Sequence, residues 1–332
     1  MTQRASGRFG LAMLANRLHS VLARSAFFSR AYLQLWGFLL RRFGGMIPAR
    51  RVVSTLSWHA WPPLTFSAKS VSVTDTVSFN VLPHTGEHDM RALFTRDLAY
   101  EGEVFAALDQ CITDYDAVIE IGANVGFFSL YFCAARRSTA VPVYCFEPSA
   151  LAFTRLTANL AANHAQNVFA IPAAVANTAG LARFYEPVGH LTNGSMVERF
   201  AAIFSDQVRT TLVPSLTGDA VHSLIANEAR VLIKIDVEGA EVEVLNSLRM
   251  LIDAKHPDVV LEVLPMFVDA LNEFVWPADY QKYAITRNGL VAHDQFSADG
   301  DERDYLVVAS LNQSASTAGE KRIVRSPNGE SR

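Results

Sequence analysis

The stretch Val118-Ile-Glu120-Ile-Gly122-Ala-Asn124-Val-Gly126-Phe-Phe128 decides the fold. An apolar run over Ala117–Ile121 enters a glycine-bearing loop, and a helical pattern opens at once over Phe127–Arg137. Gly122 allows the backbone to turn sharply without a Cβ clash. Gly126 lets the first helical turn pack close to the strand or to a ligand. The free N–H groups of such a helix start attract the anionic end of a ligand. In open α/β sheets ligands bind at the carboxyl ends of the strands, which is where this loop lies.

The pattern continues outward as strands alternating with helices. Val141–Phe146 reads as a second strand, and Leu151–Ala162 as a helix with Leu156 and Leu160 on one face. Val168–Val175, Val231–Ile235 and Val259–Val263 read as the third, fourth and fifth strands. After the fourth comes a helix with Val244, Leu245, Leu248, Leu251 and Ile252 on its apolar face. Tyr283–Thr286 and Tyr305–Ala309 look like closing strands. Such alternation implies an α/β fold with a mainly parallel sheet, and unbroken apolar runs suit strands buried on both faces.

The 332 residues are half hydrophobic, enough for a sizeable core. A net charge of −4 gives no global case for nucleic-acid binding. Cys111, Cys133 and Cys145 form no CxxC pair and read as buried thiols of a reducing cytoplasm. Four segments are expected: a basic amphipathic leader over 1–63, a β-hairpin and helical flank over 64–115, the α/β domain over 116–311, and a disordered tail over 312–332. The leader ends at Trp61-Pro62-Pro63. In the flank, Leu64–Phe66, Val71–Val73 and Val77–Val81 alternate as strands, with Asp75-Thr76 as a turn.

No Asp or Glu precedes Asp75, whereas Arg4, Arg8, Arg17, Arg24, Arg30, Arg41, Arg42, Arg50 and Arg51 all do. Leu11, Leu14, Leu18 and Leu22 recur at helical spacing. The apolar run Ala31–Leu40 falls short of the ~20 residues that span a bilayer. Peripheral membrane contact through residues 1–50 is one reading of this leader. Packing on its own domain, a partner-binding arm and a transit peptide are the others.

The second strand ends in Cys145-Phe146-Glu147-Pro148, and a carboxylate there can accept the ribose hydroxyls of a nucleoside. Its separation from Gly122 fits an acid about 20 residues after the glycines. A dinucleotide loop needs a second glycine where this chain has Asn124, because the pyrophosphate approaches the backbone there. S-adenosyl-L-methionine has no pyrophosphate. Glu120 also suits a loop facing a sulfonium and an amino acid. Gly122, Asn124, Gly126, Glu120 and Glu147 are therefore the expected cofactor residues, for S-adenosyl-L-methionine rather than a nicotinamide. Taken singly, the glycines could serve only a tight turn and Glu147 could be a surface acid.

The fourth strand runs Ile233-Lys-Ile-Asp-Val-Glu-Gly-Ala-Glu241. With Ile119-Glu-Ile-Gly-Ala-Asn-Val-Gly126 and Cys145-Phe-Glu-Pro148, in this order and spacing, the chain resembles the FkbM family of methyltransferases over roughly residues 95–265. Glu120 stands where the family commonly has Asp, and Gly218 interrupts a Thr-Leu-Asp stretch at Thr217-Gly-Asp219. Asp219 is as readily an N-cap for residues 220–227. The resemblance implies a Rossmann-like class I methyltransferase sheet with an antiparallel closing strand. It also implies S-adenosyl-L-methionine as donor, and oxygen methylation of a sugar, polysaccharide or other small-molecule acceptor.

An alcohol is a weak nucleophile and gains from a general base. Asp236 is the first candidate, Glu238 the second, and Lys234 can pair with a carboxylate. Glu238 and Glu241 could instead be acids at a helix start. Asp236, Glu238 and Glu262 could share a magnesium ion, but no ligand spacing calls for one and no metal is assigned. His190, Asn193 and Ser195 lie in a polar segment that could line an acceptor pocket. The alternatives are a non-catalytic binding module on this fold and a nicotinamide-dependent oxidoreductase.

Overall fold

The computed structural model describes residues 17–44, 49–57, 59–135, 141–298 and 303–309. Leu11, Leu14, the helix end at Arg136-Arg137 and the tail 312–332 lie outside them. The chain divides into two compact units, residues 1–73 with 78–99, and residues 74–77 with 100–332.

The first unit holds α1 (Ala26–Phe43), α2 (Ala49–Ser57), the hairpin β1 (Lys69–Ser72) and β2 (Ser78–Val81), and α3 (Arg91–Phe94). Ser25 opens α1 as its N-cap. Leu33, Leu40, Val53, Leu56, Trp61, Leu64, Phe66 and Leu93 share one apolar core. Residues on both sides of Pro62-Pro63 build that core, so leader and flank form one unit rather than meeting at a boundary there. Leu64–Phe66 makes no strand, only an isolated bridge from Thr65 to His84.

The second unit begins with α4 (Gly102–Asp109), β3 (Ala117–Ile121), α5 (Phe127–Ala135), β4 (Val143–Phe146), α6 (Ala150–Ala162), β5 (Val168–Ile171) and β6 (Ala174–Val175). It continues with β7 (Gly180–Pro187), α7 (Glu198–Phe204), β8 (Val208–Leu216), α8 (Gly218–Leu224), β9 (Val231–Ile235), α9 (Glu241–Ser247) and α10 (Arg249–Lys255). It closes with β10 (Asp258–Glu262), α11 (Val268–Glu273), β11 (Tyr280–Thr286), β12 (Gly289–His293) and β13 (Asp304–Ala309).

Eight strands form one sheet in the order β12-β11-β13-β10-β9-β3-β4-β5. β5, β4, β3, β9 and β10 run parallel, and β13 closes antiparallel against β10. This is the expected α/β, Rossmann-like sheet. Every residue of β3 and of β9 is buried, as strands covered on both faces must be.

The expected strand over Val168–Val175 is two strands in different sheets. Pro172 divides them, because proline has no N–H to give to a ladder. β6 joins β8 and β7 in a three-stranded sheet that the sequence reading did not anticipate. The expected helix after β9 is broken at Leu248 into α9 and α10. The start of α8 abuts this break: Gly218 N–H donates to Ser247 Oγ at 2.8 Å. A Cβ on Gly218 would fall 1.9 Å from the Ser247 carbonyl oxygen, which explains the glycine in that position. Asp219 sits inside the first turn of α8, whose N-cap is Thr217, so the N-cap reading of Asp219 does not hold.

Candidate active site

β3 and β9 lie side by side with Glu120 opposite Lys234. Strand alternation sends Ile119, Ile121, Ile233 and Ile235 into the apolar core and leaves Glu120 and Lys234 on the other face. A buried charge needs a partner. Glu120 accepts a hydrogen bond from Ser129 Oγ of α5. Lys234 Nζ lies 2.7 Å from Asp236 Oδ2 and 4.2 Å from the Phe128 ring centroid. Burial alone would lower the Lys234 ammonium, but Asp236, Glu101 and Glu120 outweigh it and hold the group above its ordinary value. Burial pushes Glu120 up to about 8, against the opposing pull of Lys234 and Ser129.

The turn after β3 is pressed against the end of β9. Asp236 N–H donates to Ile121 O at 3.0 Å. Gly122 has φ +89°, and a Cβ there would lie 1.7 Å from the Asp236 carbonyl oxygen. No side chain fits, so this glycine brings the two signature segments into contact. Asn124 takes φ +50°, a left-handed conformation that asparagine tolerates better than most residues. Asn159 of α6 braces the loop by donating to Val125 O at 2.8 Å.

Glu147 ends β4 and reaches back over this turn. Its Oε2 accepts the Asn124 N–H at 2.7 Å and its Oε1 accepts the Ser149 N–H at 2.7 Å. Burial raises the carboxyl to about 7, opposed by these two N–H groups. Each oxygen keeps a further lone pair and can still accept from a hydroxyl. Beside it, Asn124 Oδ1 is buried without a hydrogen-bond partner. The arrangement can hold the hydroxyls of a nucleoside.

At the end of β9, Glu238 adopts φ +56°. Glu241 Oε1 accepts from Gly239 N–H at 2.9 Å and Val237 N–H at 3.4 Å, so it braces the loop from the first position of α9. Ser195 donates to Glu238 O at 2.7 Å and accepts from Val197 N–H at 2.8 Å. It is fully buried and braces the Glu238 loop instead of lining a pocket. Asn193 accepts from Thr192 Oγ1, and His190 is exposed beside Phe204.

Glu262 ends β10 directly across from Asp304 of β13. Burial, then Asp236 and Glu238, raise Glu262 to about 10. Burial, then Asp236 and Glu241, raise Glu238 to about 9. Glu101 rises to about 7 and Asp304 to about 6, mainly through burial, with Lys234 opposing in both. At neutral pH this site therefore stores protons on Glu238 and Glu262. Its carboxyls donate to hydroxyls when neutral, and a bound cation would draw them toward the charged form.

Tyr100, Glu101 and Asp304 were not among the expected site residues. Glu101 takes φ +39° just before α4, and its Oε2 is buried without a hydrogen-bond partner. An acid before a helix is the only sequence signal at Glu101, and it is indistinguishable from a cap. Among the described residues, no group of three His, Cys, Asp or Glu is arranged to hold a metal ion. Cys111 and Cys145 are buried and Cys133 is half-buried, and none of the three is in a disulfide.

Five parallel strands closed by an antiparallel one, with this loop and these acids at the carboxyl edge, make a Rossmann-like α/β domain. Residues 120–282 match the family model of the methyltransferase FkbM domain. No curated protein matches the chain.

Among solved structures it is similar to a methyltransferase FkbM from Methylobacillus flagellatus KT. The identity is 17%, the TM-score 0.37, and the match covers 59% of this chain and 44% of that one. The chain thus spans less than half the length of that relative. A SAM-dependent methyltransferase from Agrobacterium tumefaciens is 10% identical over 74% of this chain and 71% of its own, with a TM-score of 0.40. A ribosomal protein L11 methylase from Lactobacillus delbrueckii subsp. bulgaricus is 11% identical over 73% and 98%, with a TM-score of 0.36.

Proposed function

We propose that the chain transfers a methyl group from S-adenosyl-L-methionine to a hydroxyl oxygen of a sugar, polysaccharide or other small-molecule acceptor. The supporting observation is the mutual grip of Glu147 and the turn after β3. The Asn124 amide is already committed to Glu147, so it is not free for a pyrophosphate, whereas the spare lone pairs of Glu147 suit ribose hydroxyls. The orphaned Asn124 Oδ1 offers one more acceptor at the same mouth. This favours an S-adenosyl cofactor over a nicotinamide dinucleotide.

When bound, the cofactor supplies an electrophilic methyl carbon on a cationic sulfur whose departure as a neutral thioether is easy. The chain's part is alignment and proton handling. Asp236 removes the acceptor hydroxyl proton. Lys234, 2.7 Å away and fixed over Phe128, holds the carboxylate in one orientation. Glu238 and Glu262 hydrogen-bond the neighbouring hydroxyls of a polyol. Glu101 faces the same Lys234–Asp236 pair and joins them.

The test is transfer of labelled methyl from the cofactor into the carbohydrate fraction of host extracts. Label in an ether-linked sugar methyl group supports the reading, and label confined to protein or nucleic acid contradicts it.

A proton balance gives a second check. Glu238 and Glu262 hold protons up to about 9 and 10 in the free site. A sulfonium beside them favours their charged forms, so their proton affinity falls on binding. Cofactor binding at pH 7.5 is therefore expected to release protons and to tighten as pH rises. Titration calorimetry in buffers of different ionisation enthalpy reads the release. S-adenosylhomocysteine, which lacks the sulfonium charge, should release fewer protons. Equal release with both ligands would remove the sulfonium from the site's carboxyl cluster.

A further inference from the structure

We infer that α1 is a docking surface for an anionic phospholipid membrane. The inference concerns the first unit alone and does not rest on the transfer reaction. One face of α1 is spent inside its own unit: Ser29, Leu33, Gly37 and Leu40 are buried. A Cβ on Gly37 would come 2.8 Å from the Leu93 carbonyl oxygen, so the helix is seated backbone-close on α3 and cannot roll. The opposite face is left in water. Phe27, Leu35 and Phe38 are 74%, 56% and 65% exposed, and Phe28 beside them is 58% exposed. Phe27, Ala31, Leu35, Phe38 and Arg42 follow helical spacing and make a single outward stripe. Leu18 and Val21, just before α1, are also exposed. A face this apolar and this unpartnered marks an interaction site.

Charge decides between occupants. Exposed Arg42 lies on the stripe, exposed Arg17, Arg24, Arg50 and Arg51 belong to the same unit, and no acidic residue occurs in the first 74 positions. Arg30 and Arg41 are already committed inside the unit. Arg30 donates to Thr65 O, and Arg41 donates to Ala92 O, Thr95 O and Ser70 O. A second copy of this face would bring arginines against arginines. A lipid surface with anionic headgroups accepts both features at once, the aromatics entering the headgroup region and the arginines pairing with phosphates. No helix among the described residues is long and apolar enough to cross a membrane, so α1 would lie in the plane of the surface.

Deleting α1 would not test this, because Leu33 and Leu40 belong to the core of the unit. Substitutions on the outer stripe leave that core intact. The full chain should sediment with phosphatidylcholine vesicles containing phosphatidylglycerol, and not with phosphatidylcholine alone. A Phe27→Ser/Phe38→Ser double variant and an Arg24→Gln/Arg42→Gln double variant should each bind the anionic vesicles roughly tenfold more weakly or worse, and added salt should weaken the wild type. Unchanged circular dichroism would show that the variants fold. Three outcomes would overturn the inference: a wild type that ignores anionic vesicles, variants that bind them equally well, or a dimer in sedimentation equilibrium that Phe38→Ser separates. The last would assign the face to self-association.

Discussion

Asp236→Asn is expected to lower kcat by about 10²–10⁴ while leaving S-adenosylhomocysteine affinity and KM for the acceptor little changed, because only the proton acceptor is removed. The expectation rests on the placement of Asp236. It follows β9 immediately, its backbone is clasped to β3 through Ile121 O, and its side chain is paired with Lys234 at 2.7 Å. Asparagine preserves shape and hydrogen bonding to that ammonium but cannot take a proton at neutral pH. A loss that falls on cofactor affinity instead would make Asp236 a cofactor ligand. Undiminished kcat would remove Asp236 from the role of base.

Lys234→Met should cost about 3–5 kcal/mol of unfolding free energy at pH 8, the usual penalty for breaking a buried ion pair from one side. Asp236, Glu101 and Glu120 all draw on this ammonium, which lies under α5 at 3% exposure. Its value is raised in the folded chain, so the stability it contributes is fully present below its ordinary value and is lost only as pH climbs through the raised one. In the variant the neighbouring carboxyls can relieve the loss by taking up protons. The penalty is therefore expected to shrink between pH 8 and pH 5.5 in urea titrations. A pH-independent penalty would mean lost packing against Phe128 in place of lost charge.

How far the sequence reached depended on whether a segment is buried on both faces. β3 and β9 begin and end at the residues expected of them, because a strand covered on both sides must be apolar throughout and is ended sharply by its turn. β7 and β8 went unseen because few of their residues are fully buried, which leaves little apolar signal. α1 showed only as fragments, since it is apolar on both its buried and its exposed faces and so has no clean amphipathic pattern.

The candidate site was legible where chemistry concentrates in a short string. Lys234, Asp236 and Glu238 stand together in the sequence, and the fold adds Glu120 by strand register and Glu147 by the neighbouring edge. Glu101 and Asp304 stand alone in sequence, and only long-range pairing brings them to the cluster. The placing of Ser195 on the Glu238 carbonyl likewise has no local signature.

The most direct measurement is calorimetric titration of S-adenosylhomocysteine into the wild type, Glu147→Gln and Glu147→Ala. The wild type should bind one equivalent. Glu147→Ala should bind roughly a hundredfold more weakly, since two hydroxyl hydrogen bonds to a carboxylate are lost, and Glu147→Gln should fall between them. A wild type that takes up no S-adenosylhomocysteine, or an alanine variant that holds it as tightly as the wild type, would contradict the reading of this turn as a nucleoside site.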